Sequence, residues 1–122
     1  MKSPVIGIVG VCGAGKSTLI AGLKTRGIFA RHIAQEHSYV KDMWQRLTHP
    51  DVLIFLEVSY PNTIHRRRLD WTEAEYAEQL FRLRHARQYA DLVIQTDGIT
   101  PEEVIEEALR FLNERFGYEF YS

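Results

Sequence analysis

The strongest constraint on this chain is the segment Gly10-Val11-Cys12-Gly13-Ala14-Gly15-Lys16-Ser17-Thr18, set between the β-branched run Val5-Ile6-Gly7-Ile8-Val9 and an apolar-periodic stretch that opens at Lys16. Gly10, Gly15, Lys16 and Ser17 meet the pattern G-x-x-x-x-G-K-[ST]. Glycines let a backbone turn through positive φ and bring its N–H groups against an anion with no side chain in the way. The helix that follows adds free N–H groups and the positive end of its dipole. The segment therefore demands a buried strand before it, a helix after it, and an anion between them.

The amides of Cys12, Gly13, Ala14 and Gly15, with Lys16 as a mobile cation, suit a polyphosphate. The expectation is a nucleoside triphosphate, ATP, bound with Mg²⁺. Lys16 is assigned to the β and γ phosphates, Ser17 to Mg²⁺, and Thr18 to the α-phosphate side. Cys12 reads as a small filler of the loop, with a redox switch as the alternative, because a helix N-terminus lowers a thiol's pKa.

Downstream, Lys16 to Thr25 reads as a helix with Leu19, Ile20 and Leu23 on one face and Gly27 past its end. A weaker strand is expected over Phe29 to Gln35, ending in Glu36-His37-Ser38. One or two helical turns follow over Lys41 to Leu47, then the strand Val52-Leu53-Ile54-Phe55-Leu56, with Glu57 at its end. Thr72 with Glu75 forms a capping box that opens a helix to about Tyr89, with Tyr76, Leu80 and Leu83 sharing a face. Leu92-Val93-Ile94 is a further buried strand. Thr100-Pro101-Glu102-Glu103 caps a last helix lined by Val104, Ala108, Phe111 and Leu112. Strands alternating with helices imply an α/β fold of three layers, α/β/α, on a short, mainly parallel sheet of about four strands. Residues 1–122 read as one domain.

Beyond the glycine loop, the chain resembles the P-loop kinases of small molecules: the nucleoside monophosphate, deoxynucleoside and shikimate kinases. Pro50 to Leu56 followed by Arg66 resembles the strand and helix that place an arginine against the adenine base, and Arg67 and Arg68 fall where such kinases begin a lid. Arg87 to Asp97, with Pro101 to Val104, is similar to the C-terminal part of shikimate-type kinases, which implies that Thr96, Asp97 and Gly98 flank the base. Gln35-Glu36-His37-Ser38 is similar to a Glu-Arg-Ser motif of deoxynucleoside kinases, with histidine in place of arginine. The resemblance gives Glu36 two roles, general base or outer partner of Mg²⁺. Glu57 is its rival, since an acid closing a hydrophobic strand looks like a Walker-B position, but the kinase pattern implies an outer strand there. Among the helical arginines, Arg66 aside, Arg82 and Arg84 read as solvated partners of acids such as Glu78. Arg87 is set apart by its place seven residues beyond Leu80, where a cation must snorkel or meet an anion. The resemblance stops short in one respect: the span after the first helix lacks the insert with which those kinases bind their acceptor.

Net charge of −1 argues against a broad nucleic-acid footprint. A lone cysteine forms no internal disulfide, and no apolar run is long enough for a membrane span or a secretory signal, so a cytoplasmic protein is expected. Asn-Lys-x-Asp, Asp-x-x-Gly and Leu-Ser-Gly-Gly motifs are all missing, which argues against GTPase switches and transporter ATPases. Two functions lead: transfer of the γ-phosphate to a small-molecule acceptor, or a minimal binding or slowly hydrolysing NTPase module acting through a partner; nucleic-acid binding through the arginines is the third alternative. The tail Gly117-Tyr118-Glu119-Phe120-Tyr121-Ser122 is read either as packing on its own domain or as a homodimer contact.

Overall fold

The β-branched run before the glycine loop is the strand β1, Ile6–Gly10, buried along its whole length. In the computed structural model, which describes residues 3–67 and 70–117, β1 leads through the loop into the helix α1, Lys16–Lys24. The strand β2, Ala30–His32, comes next, then a single 3₁₀ turn, Gln35–His37, and α2, Met43–Thr48. The strand β3, Val52–Glu57, is followed by α3, Tyr60–Arg67, and α4, Glu73–Tyr89. The strand β4, Leu92–Gln95, and α5, Pro101–Phe116, complete the order.

All four strands run parallel in the order β2-β1-β3-β4. The loop strand is interior, with the strand before Glu36 on one side and the Glu57 strand on the other. Chain direction reverses across the sheet: β1 to β2 steps one way and β3 to β4 the other. Right-handed crossovers then put α1 and α4 on opposite faces, as the packing reflects. Helix α1 lies against α5 and β2, whereas α4 lies against the 3₁₀ turn and β3. In an open parallel sheet, the crevice at such a reversal, beyond the strands' C-terminal ends, is where ligands bind.

Local sequence signals hold where the interactions they describe are local. Thr72 and Thr100 each accept a hydrogen bond from the amide of the glutamate three residues on, which bonds back to the cap amide. Three expectations are corrected. Strand β2 spans only Ala30–His32, so Glu36 stands in the 3₁₀ turn beyond a shorter strand; an edge strand paired on one side alone stops where its ladder stops. Helix α4 buries Gln79, Leu83 and Ala86, with Tyr76 half-buried, whereas Leu80 is exposed. The helix has turned because Gln79 has a polar partner inside. Strand β3 is also interior rather than outer, buried from Val52 through Leu56. Among the described residues no helix is long and apolar enough to cross a membrane. Arg68 and the aromatic tail beyond Gly117, with its homodimer reading, lie outside the described residues.

Candidate functional site

At the end of β1 the loop turns on three glycines for two physical reasons. Gly13 and Gly15 have φ of 87° and 97°, the left-handed region a side chain disfavours. Gly10 is required by contact instead: a Cβ there would meet the backbone oxygen of Leu56 at 2.7 Å and Ala14 Cβ at 3.2 Å. Ala14 N donates to Val11 O at 3.1 Å, closing the turn, and the first helical bond is Leu19 N to Gly15 O at 3.0 Å. The amides of Lys16, Ser17 and Thr18 precede that bond, so they are the helix's free N-terminal donors. Ser17 and Thr18 are exposed beside them. The Cys12 amide is committed differently: it donates to Gln79 Oε1 on α4 at 2.9 Å.

Lys16 is buried and its three ammonium hydrogens have three acceptors. It donates to the carbonyl of Gly10, to that of Val11 at 3.1 Å, and to Glu36 Oε2 at 2.8 Å. Glu36 is 2% exposed, and its other oxygen, Oε1, is buried with no hydrogen-bond partner. A buried carboxylate oxygen without a donor is costly unless a cation or proton donor meets it. The donor set, a first-turn hydroxyl at Ser17 and this orphaned oxygen, fits a hard divalent cation such as Mg²⁺.

The turn that carries Glu36 is held from several sides. Gln35, also buried, accepts from Trp44 N at 2.8 Å and donates to the carbonyls of Val40 and Arg82 at 2.8 and 3.1 Å. Arg82 donates to the Glu36 carbonyl at 3.4 Å, pairs with Glu78 at 3.2 Å, and lies 4.3 Å over the Tyr39 ring. The expected pairing of Arg82 with Glu78 is present, but Arg82 also braces the Glu36 turn. Gln35, Gln79 and Arg82 are the site residues that sequence reasoning missed. Nothing in the sequence around them signals their burial or their distant partners.

Glu57 and Arg87 meet each other rather than Lys16: Arg87 Nε donates to Glu57 Oε2 at 2.9 Å, and its guanidinium lies 5.8 Å over Phe55. Arg87 thus both snorkels and finds an anion. Thr96 is buried, donating through its hydroxyl to the Glu57 carbonyl at 3.0 Å. Asp97 accepts from Ser59 N and from Asn62 Nδ2 at 2.7 Å, tying the end of β4 to the start of α3, and Gly98 turns with φ of 79°. Tyr76 donates to Val58 O at 2.6 Å nearby; burial, then the Asp97 and Glu57 carboxylates, push its phenol above the usual pKa. Arg66 lies in α3.

Two hollows flank the loop. A cavity of about 360 Å³ is lined by Gly13, Gly15, Thr18, Ile99, Pro101 and Val104, among others. Ile99 and Pro101, just past the Thr96 to Gly98 turn, form its apolar wall. On the other side, a hollow of about 330 Å³ is lined by Trp71, Ala74, Glu75, Glu78, Gln79 and Arg82. Through Gln79, which bonds Cys12, and Arg82, which bonds the Glu36 turn, the second hollow is linked to the loop. The fold and site define an α/β domain with a glycine loop at the C-terminal end of an interior parallel strand. No protein-family model matches the chain, and no curated protein matches it.

Proposed function

We propose that this chain binds ATP with Mg²⁺ on the glycine loop and transfers the γ-phosphoryl group to a small-molecule acceptor. The observation that carries this reading is the buried Lys16–Glu36 pair, which sets a mobile cation and an incompletely bonded carboxylate side by side at the loop. The phosphates lie on the loop and first-turn amides, and Lys16 exchanges its two carbonyl acceptors for β and γ oxygens. The base and ribose occupy the cavity walled by Ile99 and Pro101, just past the Thr96, Asp97 and Gly98 turn, and the kinase resemblance assigns Arg66 to the base as well. The acceptor enters the hollow beside Gln79 and Arg82. Its hydroxyl proton passes to Glu36 as the new O–P bond forms and the β–γ bridging bond breaks, releasing ADP. Mg²⁺, held by Ser17 with Glu36 outside it, neutralises charge on the β and γ oxygens when bound. Arg87 steadies the developing charge only if it leaves Glu57, a second acid at the same sheet end.

A second reading, hydrolysis without a dedicated acceptor, is favoured by one observation: β2 is the only strand or helix between α1 and the 3₁₀ turn. Labelled ATP offered with nucleosides, nucleotides, sugars and small acids, beside a control without acceptor, separates the two. Transfer to any acceptor supports the kinase, and phosphate release alone supports the hydrolase. Binding itself is tested by melting: at a hundredfold excess over Kd, ATP with Mg²⁺ stabilises the fold by about 2.7 kcal/mol. Lys16→Ala is expected to remove most of that shift. Equal ATP affinity for Lys16→Ala and parent in calorimetry rejects the phosphate cradle.

A further inference from the structure

Cys12, Glu36 and His37 form an arrangement that phosphate binding does not need. Cys12 Sγ lies 3.8 Å from His37 Nε2, which lies 3.7 Å from Glu36 Oε2, and one donor atom from each residue falls within 4.8 Å of the other two. A tetrahedral Zn²⁺, with bonds of about 2.3 Å to sulfur and about 2.1 Å to nitrogen and oxygen, needs an S···N edge of about 3.6 Å and an N···O edge of about 3.4 Å. These two edges exceed the ideal by a few tenths of an ångström, and the edge from sulfur to the carboxylate lies within 4.8 Å. His37 is exposed and free to turn that far.

Two further observations point the cluster at a cation. The Glu36 side chain is almost fully buried, and while its Oε2 accepts from Lys16 and faces His37, its Oε1 has no hydrogen-bond partner, so the carboxylate is one donor short. Cys12 is clamped at two atoms by one buried side chain: Gln79 Oε1 accepts from its amide at 2.9 Å, and Gln79 Nε2 donates to its sulfur at 3.3 Å. An outer hydrogen bond of this kind fixes a ligand's position.

We propose that Cys12 Sγ, His37 Nε2 and the Glu36 carboxylate bind one Zn²⁺ beside the glycine loop. The donor set of sulfur, imidazole nitrogen and oxygen selects a borderline-soft ion over Mg²⁺, which takes oxygen ligands. Three protein ligands leave a fourth position for water. Coordination releases the Cys12 thiol proton to solvent, so affinity rises with pH. The ion also claims the carboxylate that Lys16 holds. The site itself does not rest on the nucleotide reading.

The test uses Co²⁺ as a spectroscopic substitute for Zn²⁺, titrated into the full chain without nucleotide. Cys12 is the chain's one cysteine, so a thiolate-to-Co²⁺ charge-transfer band reports this residue alone. The expected result is one equivalent bound with that band, which Zn²⁺ then abolishes. Cys12→Ser is expected to remove the band, and His37→Asn and Gln79→Leu each to weaken Zn²⁺ binding at least tenfold. Because His37 is exposed, His37→Asn decides the matter even where Cys12→Ser folds poorly. Absence of the band at saturation, Zn²⁺ affinity unchanged in His37→Asn, or one ion shared by two chains overturns the proposal.

Discussion

Lys16 and Glu36 hold each other at 2.8 Å with side-chain exposures of only 8% and 2%. Removing one charge of such a pair strands the other, so the two residues cannot be treated as independent reporters of function. Glu36→Gln keeps an acceptor for Lys16 and alters only charge. It is expected to cost about 3–5 kcal/mol in denaturant melts and, once an activity is found, to lower kcat about 10²- to 10⁴-fold with little change in ATP affinity. Glu57→Gln serves as the control, because its partner Arg87 is half exposed. Its cost is expected to stay below about 1 kcal/mol, with kcat nearly unchanged. An unchanged kcat for Glu36→Gln, or a larger loss for Glu57→Gln, means the wrong carboxylate has been assigned.

Strands β1 and β3 approach so closely at Gly10 that the obstacle to a side chain is the Leu56 carbonyl, which cannot swing aside. Gly10→Ala is expected to destabilise the fold by about 1–3 kcal/mol, measured by urea unfolding. Gly22 on α1 offers the contrast, since a Cβ there meets Ile105 Cδ1 of α5, the tip of a side chain. A loss in Gly22→Ala is expected to be relieved by Ile105→Ala, whereas no side-chain change relieves Gly10→Ala. The same division separates what was legible in the sequence from what was not. Capping boxes and the glycine loop could be read because their signals and their partners lie a few residues apart, and β1 and β3 because each is one unbroken apolar run. The inward face of α4 could not, because Gln79 is buried on account of Cys12, 67 residues away. Nor could the turn at Glu36, which is set by Gln35 bonding to residues of α2 and α4. Apolar periodicity carries no record of a polar side chain whose partner comes from elsewhere in the fold. The placing of Glu36 near the loop came from a family likeness, and its pairing with Lys16 emerged only in three dimensions.

Four parallel strands end at one side of the molecule, where the Glu57 and Asp97 carboxylates act on Tyr76, and this makes stability depend on alkaline pH. Burial and the carboxylates of Asp97 and Glu57 raise the Tyr76 pKa above its unfolded value. The folded state therefore keeps this proton to higher pH than the unfolded chain does. Its contribution is complete below about pH 10 and lost as pH rises through the folded value, since the native state binds more protons in that window. Tyr76→Phe is expected to flatten the fall of Tm above about pH 10, while costing about 1 kcal/mol at neutral pH through the lost bond to Val58. A parallel fall in both proteins refutes that coupling. The grip of Gln79 on the Cys12 amide has its own consequence on the timescale of minutes to hours. That N–H exchanges with deuterium only when α4 lifts from the loop, so it is expected to be protected like core strands, while the neighbouring amides of Ser17 and Thr18 exchange at once. Amide exchange followed by NMR then reads the opening of a long-range closure from a single loop position, and Gln79→Leu abolishes the protection there without touching that of β1.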